Sequence, residues 1–197
     1  MQTVLREELL VHLFKLSEVL DLYSSGDPNF VNRAVQWLSK TESVLTKFRH
    51  SSVSLLATQR GLIVAAKDGY LDPELESGVR VSTRKVIRAT ASLCLARAES
   101  ELRGCVDAID RRLDPLRLKM AQLISVASSN KPISFPPTEP RTEWLKSVWN
   151  DLAINGDTKL MHTYLSAALS PIDRFYLLDE LLDNMLREGA YQDLVKS

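Results

Sequence analysis

One apolar stripe constrains this chain more than any other feature. Ile87, Ala91, Cys94, Ala98, Leu102, Cys105, Ile109, Leu113, Leu116, Met120, Leu123 and Ala127 recur at steps of three and four. An α-helix returns to one face after three or four residues, so the spacing predicts a helix from about Ser82 to Ala127. The first half of the stripe is small and lets a neighbouring helix approach closely, whereas the second half is bulky. Pro115 lies inside it and removes the bond to the Arg111 carbonyl. The stripe keeps its phase across the proline, which fits a kinked continuous helix, while Asp114-Pro115 equally fits a fresh helix start. On sequence alone both readings stand.

The other prolines support the second reading by analogy. Asp27-Pro28, Asp72-Pro73 and Ser170-Pro171 repeat the pattern of an oxygen-bearing cap followed by proline. The cap accepts hydrogen bonds from first-turn amides, and proline at the first helical position loses nothing by lacking one. Ahead of Gly26, Leu5, Leu9, Leu13, Leu16, Leu20 and Tyr23 predict a first helix over Gln2–Tyr23. From Pro28 a second element carries Phe30, Ala34, Leu38, Thr41, Leu45 and Phe48. It could continue through Leu55 and Leu62 to Ala66, with His50-Ser51-Ser52 and Gly61 as the places to bend or break.

The segment Asn130–Pro140 is too rich in proline for helix or central strand. Beyond it, three shorter apolar patterns run over Thr142–Ile154, Thr158–Leu169 and Pro171 to Gly189, with Gly156 placed where a left-handed cap would fall. No stretch alternates at period two, and no internal repeat is present. The expected fold is therefore all-α. An antiparallel long-helix bundle would occupy residues 1–130, a proline-rich connector 131–140, and a short three-helix module 141–197. Two or three long helices leave a bundle incomplete, so the C-terminal helices or a second chain should close it.

Composition limits the chemistry. The chain has 197 residues and is 45% hydrophobic, enough to bury a core without disulfide or metal. Cys94 and Cys105, eleven positions apart on one helix, would be separated by about 16 Å, beyond disulfide reach. They read as buried, reduced and inert, which fits a cytoplasmic setting. Charged residues interrupt the N-terminal apolar pattern, and no uncharged run is long enough for a membrane span, so a soluble protein without membrane attachment is expected. His12, His50 and His162 have no ligand partners at metal spacing, and His12 reads as a boundary side chain. No glycine pair can cradle a phosphate, and no nucleophile elbow is present. Neither cofactor, metal nor catalytic residue is expected.

Charge supplies the one uneven feature. Lys+Arg and Asp+Glu both total 25, so the whole molecule carries no footprint of a polyanion. Between Arg80 and Lys119, however, bases outnumber acids. Arg80, Arg84, Lys85 and Arg88 crowd the predicted start of the long helix, where the helix dipole disfavours cations. Such a set fits either pairing with acids of neighbouring helices or a surface for an anion or a partner. The acidic run from Asp173 to Asp193 argues against nucleic-acid binding by the C-terminal module. Trp144 and Trp149, five positions apart, do not share one helical stripe, so one of them should reach a second surface and could contact a partner. The function expected from these features is a non-enzymatic interaction or scaffold protein, binding another protein or its own copy through helical faces. The alternative is a module for nucleic acid or another anion centred on the four basic residues.

Overall fold

The computed structural model describes residues 1–70, 82–130, 133 and 140–196, excluding the side chains of residues 130, 186 and 188–196. Its regular elements are helices: α1 Gln2–Ser24, α2 Phe30–Lys47, α3 Val53–Lys67, α4 Thr83–Asn130, α5 Arg141–Ile154, α6 Lys159–Ala168 and α7 Pro171–Lys196. Among the described residues there is no strand, and no helix is long and apolar enough to cross a membrane. Arg80, the Asp72-Pro73 pair and most of the 131–140 connector lie outside the described residues.

Two expectations about breaks are resolved. The long helix is continuous through Pro115, and Asp114 pairs with Arg117 at 2.7 Å instead of capping a new helix. The second element does break at His50-Ser51-Ser52. Arg49 adopts φ 53°, a left-handed conformation that turns the chain back on itself, whereas Gly61 stays inside α3. Left-handed glycines occur at Gly26 and Gly69, after α1 and α3. Gly156 is not among them. α5 instead ends with Asn155 in an extended conformation, and Thr158 donates to the Leu152 carbonyl at 2.6 Å. Nor does Gly189 end α7, which runs on to Lys196.

The chain divides into two compact units, one of Val4–Ala108 and one of Met1–Thr3 with Ile109–Ser197. The division falls within α4, not at the proline-rich connector where the sequence placed it. Bulky residues of the second half of α4, such as Leu113, Leu116, Met120 and Leu123, are buried and need cover from the C-terminal helices. Arg117 reaches Glu180 of α7 at 3.4 Å, and Ser128 lies 3.9 Å from the Met185 sulfur.

The unit Val4–Ala108 is an up-down-up-down four-helix bundle of α1, α2, α3 and the first half of α4. Its direction changes follow from side-chain pairs. The Tyr23 and Phe30 rings pack in a tilted arrangement across the first turn at 5.0 Å, and Trp37 Nε1 donates to the His12 carbonyl at 2.9 Å farther along. Contacts that nest symmetrically about a turn define antiparallel neighbours. By the same logic Arg60 pairs with Glu42 (2.7 Å) and Lys67 with Asn32 (2.8 Å) across the α2–α3 turn. The start of α3 meets the middle of α4 through Ser52 and Glu101. The break after Lys47 thus provides the fourth helix from within the chain. The core is Leu9, Leu16, Phe30, Leu38, Leu45, Leu56, Ile63, Leu95 and Leu102, all essentially inaccessible to solvent. Each such side chain contributes about 1.5–3 kcal/mol relative to exposure. Ala91, Cys94 and Ala98 are fully buried as well, as close approach along the small half of the stripe requires.

In the other unit α5, α6 and α7 pack on one another as a three-helix group. Ser170 and Asp173 start α7: the Ser170 hydroxyl accepts the Asp173 amide at 3.2 Å and donates to its carboxylate at 2.6 Å. The Asp173 carboxylate also takes the Met1 ammonium at 2.7 Å and both the amide and hydroxyl of Thr3 at 2.8 Å.

Candidate functional site

Among the described residues of the four-helix unit, two concave surfaces bear on function, and the sequence pointed at one of them. Of the basic residues at the start of α4, Arg88 has a structural task. Its guanidinium donates to the carbonyls of Asp27 at 2.6 Å and Tyr23 at 2.9 Å. It also lies 5.3 Å and 5.2 Å from the rings of Tyr23 and Phe30. The last carbonyls of a helix lack intrahelical donors and carry the negative end of its dipole, so a cation is well placed there. Arg88 sits at an unfavourable end of its own helix because it serves the favourable end of another.

Arg84 and Lys85 are exposed. Arg84 lines a shallow cavity of about 290 Å³ together with Pro28, Val31, Asn32, Lys67, Ile87 and Arg88. Lys67, which no sequence pattern singled out, arrives from the end of α3. The up-down topology places that end beside the start of α4. Three cations therefore line this cavity without a carboxylate among its lining residues.

The second surface is a groove of about 480 Å³ between α1 and α2. Val19, Leu22, Trp37 and Val44 provide its apolar lining, with His12 at one end. Lys15, Arg33, Lys40, Glu18, Gln36 and Ser43 stand around it and are exposed. The floor is held by hydrogen bonds. The Trp37 indole is anchored to the His12 carbonyl, and the Thr41 hydroxyl lies 2.9 Å from both His12 Nδ1 and the Trp37 carbonyl. Burial holds the His12 imidazole below its ordinary value of 6.5, and nearby Lys15 and Lys40 lower it further against an opposing pull from Glu8. His12 is thus a buried side chain under the groove, not one at the boundary of the apolar stripe.

Trp144 and Trp149 are both only 4% exposed. The expectation that one of them turns outward is not met: both rings are buried, with a cation from α5 itself over one and a cation from α7 over the other. Arg141 lies 4.9 Å from the Trp144 centroid; Arg174 at 5.1 Å and His162 at 4.3 Å pack on Trp149. Arg141 in turn binds Asp179 at 2.5 Å. Burial, then the Arg174 charge, hold the His162 imidazole below its ordinary value, against a hydrogen bond with the Trp149 backbone.

A cluster that resembles a nucleophile's surroundings lies where α3 meets α4. The Ser52 hydroxyl donates to Glu101 and lies 3.4 Å from the Cys105 sulfur. His50 Nδ1 accepts the Ser52 amide at 3.3 Å and so does not serve the hydroxyl. Burial pushes the Cys105 thiol up, against the Ser52 hydrogen bond and with the Glu101 carboxylate. A thiol held protonated is a poor nucleophile. The cluster's evident work is to tie two helices together. Among the described residues no three His, Cys, Asp or Glu side chains converge in a way that could hold a metal ion.

Compared with protein families, curated proteins and solved structures, the chain matches none.

Proposed function

We propose that this protein is a non-enzymatic interaction module that binds another protein through the outer face of α1 and α2. The observation that supports this reading is the groove between them, apolar along its floor and bordered by exposed polar and charged side chains. Ligand-binding clefts combine a largely apolar lining with a few polar groups that fix orientation. The test is a pull-down with tagged wild-type protein beside Val44→Lys, which puts a charge and extra bulk in the groove. Val44 is partly exposed, so the fold should tolerate the change. A partner retained by wild type should be lost or weakened at least tenfold in Val44→Lys. Equal retention by both proteins would remove the groove from the reading.

A second reading has its own support. Lys67, Arg84 and Asn32 converge with Arg88 on the cavity at the start of α4, which suits nucleic acid or another anion. Because Arg88 holds the end of α1, the informative variant is Arg84→Glu with Lys85→Glu, leaving Arg88 in place. Under this reading wild type is retained on immobilised single-stranded DNA or RNA at low salt and the double variant is not. Wild-type flow-through at low salt would eliminate the nucleic-acid form of the reading.

A further inference from the structure

We infer that the occupant of the α1–α2 groove is an acidic amphipathic helix of a partner protein, about three turns long. This rests on the groove being a protein-docking surface and adds the chemistry and size of what docks there. The lining residues run from His12 to Leu22 on α1 and from Arg33 to Val44 on α2. Ten residues of helix span about 15 Å, which a third helix of ten to twelve residues would match. Two antiparallel helices side by side offer a trough of the kind that receives the apolar face of such a helix.

Charge decides the sign of the partner. Lys15, Arg33 and Lys40 are exposed along the groove against a single carboxylate, Glu18. The antiparallel pairing that joins His12 to Trp37 and Thr41 puts Lys15 and Lys40 within about one turn of each other, one on each side. Carboxylates flanking the apolar face of a docked helix would meet one lysine on each side. The charge balance is far from that of the chain as a whole, which is neutral.

The apolar surface continues past the groove on the α1 side. Phe14 is 76% exposed and Val11 45%; Val11 falls on the same outward side of α1 as Lys15, Glu18 and Leu22, and Phe14 lies farther round the helix, next to Glu18. A single exposed apolar side chain is ordinary, but one beside an apolar floor extends a patch that a partner could cover. The docked helix would therefore lay apolar side chains over Val19, Leu22 and Val44, with Phe14 packing on its flank.

The test uses the full chain and three synthetic probes. The first is a fluorescein-labelled, amidated 12-residue helical peptide with leucines along one face and glutamates beside them. The second carries Gln at every Glu position, and the third Lys. Fluorescence anisotropy at low salt should show the Glu probe binding at least tenfold more tightly than the Gln probe, with the Lys probe weakest. Lys15→Glu with Lys40→Glu should remove the preference for Glu, and Phe14→Ala should weaken the Glu probe severalfold without changing the helical circular dichroism. Equal binding of the Glu and Gln probes overturns the charge assignment. If no probe binds while Val44→Lys still abolishes partner capture, the acidic helix is wrong and the docking surface survives. If partner capture is indifferent to Val44→Lys, the underlying reading fails. A single-stranded oligonucleotide that binds with the same dependence on Lys15 and Lys40, when the Glu probe does not, overturns the inference in favour of nucleic acid.

Discussion

Asp173 shows how one residue can hold more than its sequence context suggests. Its neighbours Ser170 and Pro171 mark a helix start, but nothing nearby reveals that Met1 and Thr3 supply three of the four hydrogen bonds to its carboxylate. Burial would push its carboxyl up. The bonds from the Met1 ammonium, Ser170 and the Thr3 amide and hydroxyl outweigh that and bring it from 3.8 down to about 2. A carboxyl depressed in the folded state releases its proton more readily there than in the unfolded chain. Its contribution is therefore complete above 3.8 and is lost as pH falls through about 2. A shift of this size corresponds to about 2 kcal/mol. Asp173→Asn should lower the unfolding free energy by that order at pH 7, and urea titrations of the two proteins should converge near pH 2. A gap unchanged at pH 2 would assign the loss to shape and not to charge.

Arg88 belongs to the scale of elements, because it joins α4 to the end of α1. The sequence exposed the anomaly of a cation at the wrong end of a helix, and the anomaly was informative. Its explanation was hidden, since the acceptors are backbone carbonyls of Tyr23 and Asp27, more than sixty positions away and without a side-chain signature. The groove was illegible for a related reason: Lys15, Arg33 and Lys40 lie on two helices, and in each stretch they are diluted by acids or neutral residues. Arg88→Ala should destabilise the protein by about 1.5–3 kcal/mol, the range for hydrogen bonds made by charged groups. Arg88→Lys should recover only part of this in denaturant titrations, because an ammonium lacks the planar fork that spans two carbonyls. Full recovery by lysine would show that charge alone matters. Pro115 is the opposite case, a local rule overridden by its surroundings. The stripe on both sides of it is buried, and packing holds the helix together through a residue that costs it a hydrogen bond. Pro115→Ala should accordingly raise stability by about 1–3 kcal/mol, part of the roughly 3 kcal/mol that an interior proline costs a helix. A loss in denaturant titrations would mean that neighbouring side chains are fitted to the proline ring.

For the molecule as a whole, periodicity predicted the all-α class and the long helix within a few residues of its ends, since both depend on spacing along one segment. Where the chain divides depends on which helices cover which part of α4, and spacing along α4 is silent about that. The connector looks like a boundary, yet the division falls between Ala108 and Ile109 in uninterrupted helix. The continuity has a thermodynamic consequence. Each half of α4 is buried within its own unit, but helix formation is cooperative along the backbone, so melting one half removes hydrogen bonds that stabilise the adjoining turns of the other. Wild type should therefore unfold in one calorimetric transition. Ala108→Pro places the interruption at an exposed position at the end of the first unit, so no packed side chain is disturbed. It deletes the bond to the Gly104 carbonyl and adds the ring clash, a local penalty of about 3 kcal/mol. If the helix carries the coupling, this variant should show two resolved transitions while keeping most of its helical circular dichroism. Two transitions already present in wild type would show instead that the units melt independently and that the shared helix passes little free energy between them.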